Sequence, residues 1–109
     1  MIIVTGSVLA REDRIDELLA SSLEHVRRSR SEPGCVAHAV HRDAENPLRL
    51  VFVEEWADSA SLAAHFAVPA SRAFAKAIVS LAAEPPRMSI YDANPLPMEA
   101  LRSVEKGAR

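Results

Sequence analysis

The chain has a single cysteine, Cys35, so no internal disulfide can form and nothing argues for an oxidising compartment. It has no excess of basic charge. Thirteen Lys and Arg face fifteen Asp and Glu, a net charge of -2, whereas nucleic-acid binding needs a basic patch. The short group Arg27, Arg28 and Arg30 reads instead as a solvated helix end that complements the helix dipole. No apolar run approaches the roughly 20 residues that span a bilayer. The first residues, MIIVTGSVLAR, carry no charged leader or cleavage signal. The expectation is a soluble cytoplasmic protein with no membrane or nucleic-acid partner. Low-complexity segments, repeats, a Gly-rich phosphate loop and clustered metal ligands are also lacking in the sequence.

What remains is 109 residues, the length of one domain. Residues 2–10 alternate as a first strand, with Ile2, Val4, Gly6 and Val8 on one face. Gly6 marks either a bulge or a close approach to the backbone, as at a pocket floor. Residues 11–30 carry a helical stripe of Ile15, Leu18, Leu19, Ser22 and Val26. Acidic residues fill its first turns and arginines its last. Ser31-Glu32-Pro33-Gly34 stops the helix.

Residues 35–42 form a second strand, with Val36, His38 and Val40 expected on one face and Cys35, Ala37, Ala39 and His41 on the other. His38 between two valines reads either as a satisfied core histidine or as a pocket acid or base. After the loop at 43–47, a third strand runs over 48–56. Glu54 and Glu55 point to opposite faces there, so they cannot act side by side on one atom. Asp58 and Ser59 are N-cap candidates for a short helix on which Leu62, His65 and Phe66 are neighbours. Pro69 breaks it and opens a further helix, with Phe74, Ile78, Leu81 and Ala82 inward. Residues 88–92 form a fourth strand, and Pro97 precedes a possible last helix.

This order is the α+β, ferredoxin-like split βαβ arrangement over residues 1–93, followed by a tail at 94–109. The strands are apolar on both faces. One face meets the helices, and the other is expected to be covered by a second copy, giving a homodimer and a dimeric α+β barrel.

Residues EPGC at 32–35, HRD at 41–43, NPLRLVFVEEW at 46–56, LAAHF at 62–66 and SRAF at 71–74 together resemble the antibiotic biosynthesis monooxygenase family, which includes small quinol monooxygenases. The resemblance covers residues 1 to about 92. It implies a dimer that oxygenates phenols, quinols or anthrones with molecular oxygen and uses no flavin, haem or metal. On that resemblance His65 matches the family's helix histidine, a proton acceptor or hydrogen-bond donor, and Trp56 is an apolar wall for an aromatic ring. His38 is a second polar candidate, and Phe52, Phe66, Phe74 and Gly6 complete a substrate pocket. Packing alone also accounts for Trp56, and orienting the next loop also accounts for His65.

The chain departs from the family at Pro69-Ala70-Ser71, where relatives carry Pro-His-Phe. Ala75 stands where the haem-degrading branch places an axial histidine, and Thr5 or Gly6 where it places an asparagine. Two other readings stay open: a non-catalytic binder of a small aromatic molecule, and an isomerase of a small phosphorylated sugar that would use Arg72 or Lys76 as an anchor.

Overall fold

A computed structural model describes residues 1–107. Eight elements follow one another: β1 (Ile2–Leu9), α1 (Ile15–Ser29), β2 (Cys35–Arg42), β3 (Arg49–Trp56), α2 (Ser59–Ala67), α3 (Pro69–Leu81), β4 (Arg87–Asp92) and α4 (Met98–Gly107). The strands form one antiparallel sheet in the order β2-β3-β1-β4. The α+β, ferredoxin-like arrangement expected from the element order is therefore present. No helix among the described residues is long and apolar enough to cross a membrane.

Alternation along β3 decides where the core lies. Leu50, Phe52, Glu54 and Trp56 are all buried and face the helices. Their cross-strand partners on β1 are Val8, Gly6, Val4 and Ile2. Two apolar clusters result. The larger joins Val8, Leu18, Val26, Leu50 and Leu81; the smaller joins Val4, Trp56 and Leu62. Burying a side chain the size of Leu18 is worth about 2 kcal/mol or more, so these clusters hold α1 and α2 against the sheet.

Local chemistry sets the boundaries. α1 starts at Ile15 rather than at residue 11. Arg14 has no capping side chain, and residues 12–14 form turns closed by Arg14 N–H to Arg11 C=O at 2.9 Å. α2 is capped by Asp58, whose carboxylate accepts the Ser61 N–H at 2.8 Å. Pro69 then takes the first position of α3, where its missing N–H costs nothing.

β2 differs from its expected alternation. Cys35 pairs with Trp56 and Ala37 with Glu55, so Val36 is an extra residue, a β-bulge. The bulge moves Cys35 onto the helix-facing side with His38 and Val40, and leaves Val36 59% exposed. At Gly6, by contrast, pairing is continuous on both sides, so no bulge occurs there.

The opposite sheet face carries Ile3, Thr5, Ala37, Ala39, Val51, Val53 and Tyr91, none of them buried.

Gly34 adopts φ +82°, and a Cβ there would collide with the Cβ and Oγ of Ser61 on α2. Both conformation and space therefore demand glycine. Gly34→Ala is expected to destabilise the domain by about 1–3 kcal/mol, read as a lower urea midpoint with an unchanged m-value.

Candidate active site

A cavity of about 330 Å³ lies between the sheet and α3. Val4, Phe52, Phe66, Phe74, Ile78 and Met88 give it mainly apolar walls, and Gly6 contributes bare backbone. A Cβ at Gly6 would meet the Arg87 carbonyl oxygen at 3.5 Å and the Phe52 Cβ at 3.6 Å, ordinary contacts. The protein itself thus tolerates a methyl group there, and the missing side chain widens the cavity. The polar groups on the lining come from His25, Glu54, His65, Ser7, Ser71 and Arg87. A volume in this range suits one small aromatic molecule.

His65 comes to the wall because Asp58 starts α2 two turns earlier. With that start, Leu62 and His65 lie on the buried side and Phe66 is left 40% exposed. Its Nδ1 lies 2.9 Å from Oε1 of Glu32, in the turn after α1. A carboxylate can only accept, so Nδ1 carries the proton and Nε2 keeps a free lone pair. This carboxylate–imidazole pair fixes the orientation of the ring.

Glu54 is buried at the same wall. Its Oε1 accepts the Trp56 indole N–H at 2.9 Å and lies 3.3 Å from His38 Nε2. Burial pushes the Glu54 carboxyl up, but the hydrogen bond and charge of His38, the Trp56 N–H and the charge of His65 together hold it below the ordinary carboxylate range.

The expected residues are not all brought to one surface. His65, Phe52, Phe66, Phe74 and Gly6 line the cavity; His38 and Trp56 do not. Trp56 is fully buried behind His65, with ring centroids 4.7 Å apart, and packs on Val4 and Leu62. His38 is buried between them and His25, at 5.6 Å from the His65 ring and 5.3 Å from the His25 ring. Arg72 and Lys76, the anchors considered for a phosphorylated sugar, are exposed on α3 and outside the lining.

His25 and Glu32 are the functional residues that the sequence analysis passes over. His25 extends the α1 stripe past Ser22, at the spacing of Leu18, Ser22, His25 and Ser29, all buried. Charged neighbours at Glu24, Arg27 and Arg28 hide that periodicity. Its ring stacks on Phe74 at 4.1 Å and 9°, and its Nδ1 accepts from Arg28 Nη2 at 2.9 Å. Burial, then the charges of His38, His65 and Arg28, lower the His25 pKa from 6.5 to about 3. Its imidazole is therefore neutral at physiological pH.

Together, a ferredoxin-like sheet, helices on one face and a histidine-edged apolar cavity define a small-molecule-binding α+β domain. The antibiotic biosynthesis monooxygenase family model matches residues 1–77, and the chain belongs to that family. It is similar to the crystal structure of an antibiotic biosynthesis monooxygenase, with 29% identity and a TM-score of 0.80 over 87% of this chain and 100% of the other. A Deinococcus radiodurans protein proposed to be an antibiotic biosynthesis monooxygenase shares the fold, at 22% identity and a TM-score of 0.84 over 89% and 96%. A Synechocystis protein, the uncharacterised sll1783, is 32% identical over 90 residues, 83% of this chain. This chain spans 61% of that relative's length. Family membership supports a monooxygenase-like function.

The depressed His25 pKa has a consequence for stability. Between pH 6.5 and about 3 the unfolded chain binds a proton at His25 that the folded chain refuses, so stability falls as pH drops through that window. His25→Phe, which retains the stack on Phe74, is expected to make this loss shallower. Glu54 still contributes a fall at lower pH, because its depressed pKa favours folding only above the ordinary carboxylate value. Urea midpoints measured from pH 7 to pH 3.5 on both proteins check this.

Proposed function

We propose that the chain is a cofactor-independent monooxygenase that oxidises a small phenolic, quinol or anthrone-type molecule with O2. The observation that carries this reading is the Glu32–His65 pair at 2.9 Å, with His65 on the lining of a mainly apolar cavity. An electron-rich aromatic substrate needs little more from a protein: exclusion of water, a proton acceptor and support for the resulting anion.

For an anthrone-type substrate, His65 Nε2 takes one of the two protons of the CH2 group, and the anion transfers an electron to O2. The radical pair joins as a carbon-bound peroxide, which regains the proton from His65. Loss of the second C–H proton and cleavage of the O–O bond expel water and leave a carbonyl. One O2 oxidises one CH2 to C=O and yields one H2O, with the substrate as the only reductant. Phe52, Phe66 and Phe74 supply ring-sized apolar contacts, and the Glu54 carboxylate can accept a hydrogen bond from a substrate hydroxyl.

In this reading Trp56 acts from behind the wall: its indole packs against His65 and its N–H holds Glu54. His38 stands beside Glu54 as a second positioning group. Two copies pair through the uncovered sheet face, as its half-buried apolar residues favour.

Oxygen uptake with a panel of anthrones and hydroquinones tests the chemistry. His65→Ala is expected to lower kcat/KM by about 100- to 10,000-fold. Glu32→Gln is expected to lower kcat by roughly 10-fold with KM nearly unchanged, as for a group that orients a base. Uptake at the uncatalysed rate across the panel, with phenols still raising Tm, would leave only a binding protein.

Sedimentation equilibrium tests the pairing separately. The expected mass is twice the 11.9 kDa of one chain, and Val53→Lys on the open face is expected to yield monomer. A wild-type monomer at micromolar concentration would refute it.

A further inference from the structure

We infer that the buried trio His25, His38 and His65 is a binding site for one divalent first-row transition-metal ion, with Glu54 as the fourth ligand. One ring nitrogen from each histidine lies within 4.8 Å of the other two, and all three residues are buried. The residues are scattered along the sequence at 25, 38 and 65, on α1, β2 and α2, so no ligand motif exists to be read there. In space they converge at one edge of the cavity, which His25 and His65 line and His38 backs.

Three observations favour an ion over plain packing. First, His38 is 2% exposed, its Nδ1 has no hydrogen-bond partner, and its Nε2 has only Glu54 Oε1, at 3.3 Å. A buried imidazole with an unpartnered nitrogen is costly, and a coordinate bond would satisfy the ring. Second, the His65 Nδ1–H is held by Glu32, the carboxylate arrangement that fixes a ligating imidazole and leaves Nε2 toward a metal. Third, Glu54 Oε1 is only 3.3 Å from His38 Nε2, so a carboxylate oxygen already sits beside the nitrogens.

The charges suit the ion as well. Two carboxylates, Glu32 and Glu54, and one guanidinium, Arg28, stand against the three rings, so the fixed charge around them is net negative and favours a cation. A point equidistant from three atoms at the 4.8 Å spacing lies about 2.8 Å from each, against about 2.0–2.1 Å for a metal–imidazole bond, so each ring moves by less than about 1 Å. Three imidazoles and a carboxylate suit Zn2+, Co2+ or Fe2+ rather than Mg2+ or Ca2+.

One residue opposes entry. Arg28 donates to His25 Nδ1 at 2.9 Å, which leaves the ring proton on Nε2. To offer Nε2, His25 must move that proton to Nδ1 and release Arg28. The guanidinium keeps a second partner, Ser71 Oγ, at 3.2 Å. Arg28 therefore acts as a gate on metal affinity.

The inference does not depend on the oxidation chemistry, and it interacts with it. An ion at this site occupies the His65 lone pair that would serve as proton acceptor. Metal-loaded protein is therefore expected to lose cofactor-free oxygen uptake and to recover it with a chelator.

The test is titration of untagged, chelator-stripped protein with CoCl2, followed by visible absorbance. The expected result is saturation at one Co2+ per chain, with the intense d–d bands of a four- or five-coordinate site, and displacement by one equivalent of ZnCl2. His25→Phe and His38→Phe are each expected to weaken Co2+ binding by at least 10-fold. His41→Ala, which alters an exposed histidine on the opposite sheet face, is expected to leave it unchanged. Circular dichroism establishes that each variant is folded. Arg28→Met is expected to tighten binding several-fold, a direction that damage to the fold does not produce. Absence of saturable 1:1 binding, weak bands of an octahedral aqua ion, or equal affinity in the folded His25 and His38 variants would overturn the site. Weaker binding by Arg28→Met would overturn His25 as a ligand. Because this readout is spectroscopic, its failure leaves the oxidation reading standing, and the reverse also holds.

Discussion

The close seating of the turn after α1 against α2 governs the rest of the structure. Gly34 lies directly under Ser61, with no space for even one methyl group. Around that contact, Ala57 N–H donates to the Gly34 carbonyl at 2.8 Å, tying the turn to the end of β3. The same turn carries Glu32, and the same short helix carries His65. Were the turn to stand off from the helix by the width of a side chain, the carboxylate and imidazole would separate. A backbone constraint in a four-residue loop thus sets the geometry of an acid–base pair whose members lie 33 residues apart.

Around that pair the domain encloses a polar island in an apolar frame. His25, His38, His65 and Glu54 are all buried, beside clusters built from Val4, Leu18, Leu50 and Trp56. Hydrophobic residues of similar volume would avoid the desolvation cost of these groups and would often match or exceed their stability. Their concentration around one end of one cavity, with His38 just behind the lining, marks that end as the candidate site. α1 shows the same trade on a single helix. Its inward stripe is apolar at Leu18 and Val26 but turns to Ser22, His25 and Ser29 where it crosses the site.

The architecture was legible because β1, β3 and β4 follow a two-residue period and the helix breaks have named chemical causes. Pro69, Gly34 and Asp58 mark their boundaries with little ambiguity. The face assignment of β2 was not legible. One inserted residue, Val36, reverses the sense of alternation at Cys35, and no residue type in that stretch announces a bulge. The site was legible in part. His65 follows from its place beside Leu62 on a capped helix. His25 is masked by charged neighbours, and Glu32 looks like an ordinary turn residue until the fold brings α2 over it. Trp56 shows the limit of reasoning from residue type. An indole next to a pocket histidine suggests a wall, yet Trp56, on the same face as Phe52 and Glu54, is covered by Leu62 and His65 of α2 and lies in the core behind the histidine.

The bulge at Val36 has a chemical consequence for the one sulfur in the chain. By turning Cys35 toward the helices, it places the thiol half-buried beside Trp56 and near two carboxylates. Burial, and then Glu32 and Glu54, raise its pKa above the ordinary thiol value, with Arg30 only partly opposing. A thiol kept protonated is a weak nucleophile. Quinones are electrophiles that arylate thiolates, so under the proposed oxidation the same carboxylates that hold the histidines would also shield this cysteine from product.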